Sequence, residues 1–372
     1  MKIKLISGSR DFVSEARRDI RAANSRCYVQ AMTFEGDSAG KSIADMLKDS
    51  AANDRRMLVD AYSRYIMSDK VIAGPFARLS TAQKRELDDT ISMFAELESH
   101  GIGVRVTNPV GLLWQFFPSR NHKKLIVTDD VSYIGGINFS DHNFEWHDMM
   151  VRIENKEIAD FLSKDFERSW QGQPQDACLE LDEFFLLSLS GQTNPRTWLK
   201  FRSQIEKATE KIEVVSPYIT YPFLAWLKDA SKRGVEIVIY LPAQNNKGLV
   251  GDYAENYALR HGFTVKKTQG MSHTKGMCID EKWLVFGSSN FDFVSYYTQA
   301  EYLAVLESRG AVKTFLNEIL SPLEAVERSR KSSSSFFSRL MATIMLRLAG
   351  IGICLLKLIP RRTWVQDRSS VF

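Results

Sequence analysis

Cysteine is scarce in this chain. There are four in 372 residues, Cys27, Cys178, Cys278 and Cys354, far apart and without paired spacing. That pattern excludes a disulfide framework and a thiolate zinc site, and it fits a reducing compartment. The N-terminus, Met1-Lys-Ile-Lys-Leu-Ile-Ser-Gly, lacks the long apolar core that a secretory leader needs. Charge of one sign is also lacking. Forty-nine basic against 45 acidic residues leave a net charge of +4, which permits anionic substrates but is mild for a nucleic-acid binder, so none is expected as a partner. What remains is an ordinary globular composition, 44% apolar and 25% charged, long enough for two core-bearing units.

The chain repeats itself. In its first half, helix-patterned stretches Glu15–Asn24, Lys41–Asn53 and Leu87–His100 each precede a short apolar run: Tyr28–Phe34, Met57–Ala61 and Val104–Val106. In the second half Trp198–Thr209, Phe223–Arg233 and Tyr253–His261 precede Ile212–Val215, Val235–Leu241 and Phe263–Lys266. Such alternation predicts βαβ units and a mostly parallel sheet in each half. The expected domains are 1–172, 173–327 and a tail, 328–372, with Gln171–Asp182 as the linker between copies and Arg328–Ser335 as a basic, Ser-rich hinge. The first copy carries extra sequence around Arg64–Arg85 and an apolar loop, Gly111–Phe117, read either as a bilayer-dipping loop or as a cap on the core.

Each copy closes on a polar motif. The first reads Asn121-His122-Lys123-Lys124, four residues, then Asp129, then Gly135-Gly136-Ile137-Asn138. The second reads Ser272-His273-Thr274-Lys275, four residues, then Asp280, then Gly287-Ser288-Ser289-Asn290. On an extended chain His and Lys two apart share a face. Cleaving a phosphodiester without a metal needs a nucleophile, an acid for the departing alkoxide, and cations for the phosphoryl oxygens. Two histidines can hold opposite protonation states and fill the first two roles in either order. Lys124 and Lys275 would meet the equatorial oxygens, with Asn138, Asn290 and Ser288 as further phosphate-binding groups. Asp148 and Glu301, which follow Asn138 and Asn290 at similar distances and each open an apolar run, are the candidates for orienting the imidazoles. The other histidines, His100, His142, His147 and His261, read as surface or capping residues, with His147 set apart from the rest because Asp148 follows it.

In these motifs the chain resembles the phospholipase D superfamily over roughly residues 10 to 325. Both His-x-Lys-x4-Asp motifs match, as do the Gly-Gly/Ser-x-Asn turns, and Pro217-Tyr218 stands where the cardiolipin synthase branch has a Pro-Tyr pair. The resemblance implies a duplicated α/β sandwich, bilobal with pseudo-twofold symmetry, and an active site where the halves meet. It implies that His122 forms the phosphohistidine, that His273 is the general acid, and that Asp129 and Asp280 are mainly structural. It also implies no cofactor and no metal. Gly136, opposite Ser288 of the second copy, departs from the pattern and removes one phosphate contact. The activity implied is transfer of a phosphatidyl group between phospholipids such as phosphatidylglycerol. Hydrolysis to phosphatidic acid and, further off, a phosphodiester nuclease are the alternatives.

The tail, Phe336–Ile359, is apolar except for Arg339, Arg347 and Lys357, which share one helical sector with Gly350 and Thr343. A spanning helix would bury Arg347 in the bilayer. The expectation is therefore a helix lying in the membrane interface, its basic stripe toward the head groups, with Arg361, Arg362 and Trp364 beside it. Packing of the tail on the protein's own core is the less favoured alternative. The location expected is the cytoplasmic face of a membrane, a bacterial inner membrane, peripheral or monotopic; the oligomeric state is left open.

Overall fold

The computed structural model describes residues 1–67, 70–71, 80–111, 114–328, 336–356 and 365–367. The hinge after Arg328, Leu112 and Leu113 of the apolar loop, and Arg361, Arg362 and Trp364 lie outside these, as do the side chains of Arg339 and Lys357. The chain forms two units. One holds Met1–Trp146, Met150–Gln175 and the last strand; the other holds His147–Met149 and the chain from Asp176 through the tail helix.

The first unit is built on strands β1 (Lys2–Ser7), β2 (Arg26–Ala31), β3 (Asp54–Asp60), a small hairpin β4 (Ile66–Met67) with β5 (Lys70–Val71), then β6 (Gly103–Thr107), β7 (Leu125–Val127), β8 (Val131–Gly135) and β9 (Met149–Glu154). The second has β10 (Ala177–Leu181), β11 (Phe184–Ser190), β12 (Lys211–Val215), β13 (Glu236–Pro242), β14 (Thr264–Thr268), β15 (Gly276–Ile279), β16 (Trp283–Gly287), β17 (Ala300–Glu307) and β18 (Glu324–Arg328). The final strand β19 (Val365–Asp367) closes the first sheet against β6.

The sheets run β1-β9-β8-β7-β2-β3-β6-β19 and β10-β11-β17-β16-β15-β12-β13-β14-β18. In each, three strands pair in parallel, β2-β3-β6 and β12-β13-β14. In each, the motif strand, β7 or β15, then returns antiparallel beside the first of them and continues as a meander into β8-β9 or β16-β17. The sheets are thus mixed rather than mostly parallel, because the short turns after Asp129 and Asp280 allow a hairpin where a helical crossover would demand a dozen residues or more. The expected linker Gln171–Asp182 is likewise shorter: from Ala177 it is strand β10, paired with β11.

Side-chain alternation fixes the layers. On β2, Val29 enters the core formed with Phe12, Ile43 and Phe94, whereas Tyr28 stacks at 4.6 Å on Phe166 of the helix Lys156–Trp170. Helix Ser9–Arg21 buries Phe12, Ala16 and Ile20, a stripe of three side chains spaced four residues apart. In the second unit Trp198, Phe201, Phe223 and Phe291 form the matching core.

The tail helix, Phe336–Leu356, departs from its expectation. It packs on its own unit through Ala342, Leu346, Gly350 and Ile353, against Tyr221, Tyr253, Phe293 and Tyr297. Gly350 permits this: a Cβ there would lie 1.6 Å from the Tyr221 hydroxyl. The small residues thus face the protein, and the opposite face, Met341, Ile344, Met345, Leu348, Ile351 and Leu355, is exposed, the last three by 62%, 59% and 60%.

Candidate active site

Both motif strands are completely buried, as their apolar runs require. At the far end of each stands the motif aspartate. Asp129 accepts the backbone N–H groups of Asn24, Ser25 and Arg26, the entry to β2. Asp280 accepts those of Thr209, Glu210 and Lys211, the entry to β12. Burial alone would raise both carboxyls, but the N–H donors hold each below the usual range. Each aspartate ties the motif strand to the strand beside it and stands apart from the histidine end.

His122 and His273 are buried, each just ahead of its strand rather than within it. The lysine two residues on folds back in both copies. Lys124 Nζ donates to the His122 carbonyl at 2.8 Å, and Lys275 Nζ donates to the carbonyl of His273. Both lysines are almost fully buried, so each positive charge is fixed in a low-dielectric setting beside its histidine.

The second motif carries a complete orienting group. Asp148 Oδ2 lies 2.7 Å from His273 Nδ1 and 3.8 Å from Lys275 Nζ. Lys275 Nζ also lies 2.8 Å from that Nδ1, but a single ring nitrogen cannot both donate to Asp148 and accept from Lys275. Burial opposes ionisation of Asp148, yet the charges of Lys275 and His273 hold its carboxyl below the ordinary range. An ionised Asp148 requires the proton on Nδ1, leaving Nε2 to exchange a proton with substrate. Burial pulls Lys275 down to about 8, against the opposing pull of Asp148 and Glu301.

Glu301 is fully buried and accepts from Ser288 Oγ at 2.5 Å and Ser295 Oγ at 2.9 Å. Ser288 is occupied twice over, since its Oγ also accepts the Tyr302 N–H; it braces Glu301. Gly287 (φ 154°) allows this turn to lie against β17, for a Cβ would stand 2.2 Å from the Tyr302 carbonyl oxygen. Asn290 Oδ1 is buried without a hydrogen-bond partner among the described residues. Asn138 accepts from the Thr33 N–H and donates to Asn143, both at 3.3 Å.

Several supports escaped the sequence. Asp60, at the end of β3, accepts from Arg120 at 2.8 Å, from the Asn121 N–H at 2.5 Å and from Asn108 at 3.0 Å, which fixes the residues entering His122. Gln30 donates to Asn121 at 2.8 Å. Lys123, on the face opposite Lys124, forms a fully buried ion pair with Asp165 at 2.6 Å. His147, half-buried rather than on the surface, accepts the His273 N–H on its carbonyl and meets Thr274 Oγ1 at 3.1 Å through its ring. The sequence marks His147 by the Asp148 that follows it and Lys123 by its place in the motif, and nothing in it points to Asp60 or Asp165. One acidic group, Glu35, Asp37 and Glu86, has ligand atoms within 4.8 Å of one another. Asp37 there already accepts the N–H groups of Gly40 and Asp141, capping helix Ser38–Lys48.

A family model described as "Cardiolipin synthase, PLD-like domain" matches residues 17–170 and 201–321. The minor cardiolipin synthase ClsB of Bacillus subtilis is 23% identical over 354 residues, 87% of this chain and 80% of its own length. Cardiolipin synthase 1 of Staphylococcus epidermidis is 24% identical over 344 residues, 84% of this chain and 66% of its own. Among solved structures, the phosphatidylserine synthase of Haemophilus influenzae superposes with a TM-score of 0.69 at 14% identity, over 96% of this chain and 95% of that one. At that identity the likeness is one of fold.

Proposed function

The chain belongs to the cardiolipin synthase family of phospholipase D-like proteins, and from that premise we propose that it moves a phosphatidyl group from one phospholipid to a hydroxyl of another through a phosphohistidine. The observation that carries this reading is the buried group Asp148–His273–Lys275: an oriented imidazole with a cation beside it. His122 Nε2 attacks the donor phosphorus, the P–O bond to the departing alcohol breaks, and His273 gives its proton to that oxygen. The acceptor hydroxyl then returns a proton to His273, its oxygen attacks phosphorus, and the P–N bond breaks. Lys124 and Lys275 stabilise the charge on the phosphoryl oxygens throughout. Asn138 and Asn290 add donors to those oxygens, and Asp148 orients the imidazole of the acid.

Purified protein incubated with phosphatidylglycerol alone is expected to give the dimeric lipid and free glycerol in equal amounts by mass spectrometry. Phosphatidic acid with no dimeric lipid would leave hydrolysis as the activity.

The exposed face of the tail helix suits a membrane surface. Six large apolar side chains along one helix form a patch that water does not favour, and Arg347 beside it suits anionic head groups. Among the described residues no helix is long and apolar enough to cross a membrane. Glutamate at both Leu348 and Ile351 is expected to release the protein from sedimenting phosphatidylglycerol vesicles. Undiminished sedimentation would show that this face is not what binds.

A further inference from the structure

Beyond the motifs, one cation of the second unit is held in place without a role in the transfer just described. Strand β13 ends at Pro242, and the loop after it is fastened on two sides. Ala243 and Gln244 donate their N–H groups to the carbonyls of Thr268 and Gly270, just ahead of Ser272 and His273. Asn245 Nδ2 donates to the Pro217 carbonyl at 2.7 Å, and the Tyr218 hydroxyl donates to Asn246. Lys247, which ends the loop, accordingly sits with its Nζ 4.1 Å from the centre of the Tyr218 ring. Tyr218 is itself buried, so the ring is a rigid seat and the ammonium is held by cation–π attraction. The charge of Lys247 is felt at two buried groups of the motif region, Lys275 and Asp292. On its other side Lys247 leads into the helix Gly248–Arg260, whose Val250 and Tyr253 pack on the tail helix. The lysine therefore lies between the second motif and the element with the exposed apolar face.

We propose that Lys247, seated on Tyr218, binds the non-reacting phosphate of an anionic acceptor phospholipid and so sets the preference for anionic lipid acceptors over neutral alcohols. The inference rests on the phosphatidyl-transfer reading above. The donor's phosphate is the reacting one and belongs to the two motif lysines. Only the acceptor brings a second phosphate, held a short glycerol away from its attacking hydroxyl. A cation near Lys275 but outside the reacting group is where that second anion finds its partner. Water or a small alcohol carries no such phosphate and gains nothing there.

The test is a competition. Purified wild type, Lys247→Ala and Lys247→Arg are given phosphatidylglycerol vesicles with ethanol, and dimeric lipid and phosphatidylethanol are measured together. Lys247→Ala is expected to lower the ratio of dimeric lipid to phosphatidylethanol about tenfold, the loss of one charge-assisted contact, and Lys247→Arg to restore most of it. Both products falling in step, or an unchanged ratio, would overturn the subsite, because a merely structural lysine does not discriminate between acceptors. Wild type that forms phosphatidylethanol but no dimeric lipid would overturn it too. Wild type that forms neither product would instead overturn the transfer reading itself.

Discussion

Alanine at either motif histidine is expected to lower phosphatidyl transfer by at least about 10^4-fold. His122 and His273 are buried yet belong to neither apolar core, so shortening them removes no core packing and the fold should persist by circular dichroism and melting temperature. The two losses have different chemical origins, and a donor with a nitrophenyl leaving group separates them. Nitrophenolate departs without a proton, so a missing general acid matters little to that bond cleavage. In His273→Ala the first, stoichiometric release of nitrophenolate should therefore recover about 10^2-fold or more, the usual range of acid catalysis, while breakdown of the phosphohistidine still lacks its base. His122→Ala should recover nothing, because no other group forms the bond to phosphorus. Recovery in His122→Ala instead would reverse the two roles, and appreciable natural-substrate turnover in either variant would end the two-histidine mechanism.

The motif was legible because its chemistry forces its spacing. An unbroken apolar run between lysine and aspartate could only be a buried strand, and β7 and β15 are that. The helices were legible by their apolar stripes, but their starts were not. Ser38–Lys48 begins before the expected Lys41 and Thr81–Ser99 before Leu87. Their first turns are polar, and their ends are set by Asp37 and by the Ser80/Gln83 capping box rather than by periodicity. The sheet direction after Asp129 and Asp280 was hidden for a similar reason: short apolar runs do not announce whether the next strand returns by hairpin or by crossover. Polar partners were the least legible. Nothing local marks Asp60 or Asp165, whose meaning comes from Arg120 and Lys123, 60 and 42 residues further along or back. Periodicity alone turns the tail's polar sector toward water, but Gly350 within it is the point of closest contact with Tyr221. A glycine on a charged stripe marks an approach, and that was the available clue.

Asp148→Asn is expected to lower kcat/KM by about 10^3-fold while leaving the structure intact, and to move the alkaline limb of the pH profile toward acid. The carboxylate 2.7 Å from His273 Nδ1 fixes the tautomer and stabilises the imidazolium. An amide can turn its NH2 toward Nδ1 and hold the wrong tautomer. The pH effect comes from Lys275, which must be charged to meet a phosphoryl oxygen. Its folded value is about 8, so transfer should fail as pH rises through that region. Burial is what brings it so low, and Asp148 is the first of the groups that oppose burial. Removing that negative charge lets Lys275 shed its proton at lower pH, so the limb shifts downward. A profile of kcat/KM against pH for the two proteins reads this directly. A variant whose alkaline limb stays where the wild type has it, whatever its rate, would mean that Lys275 does not govern that limb.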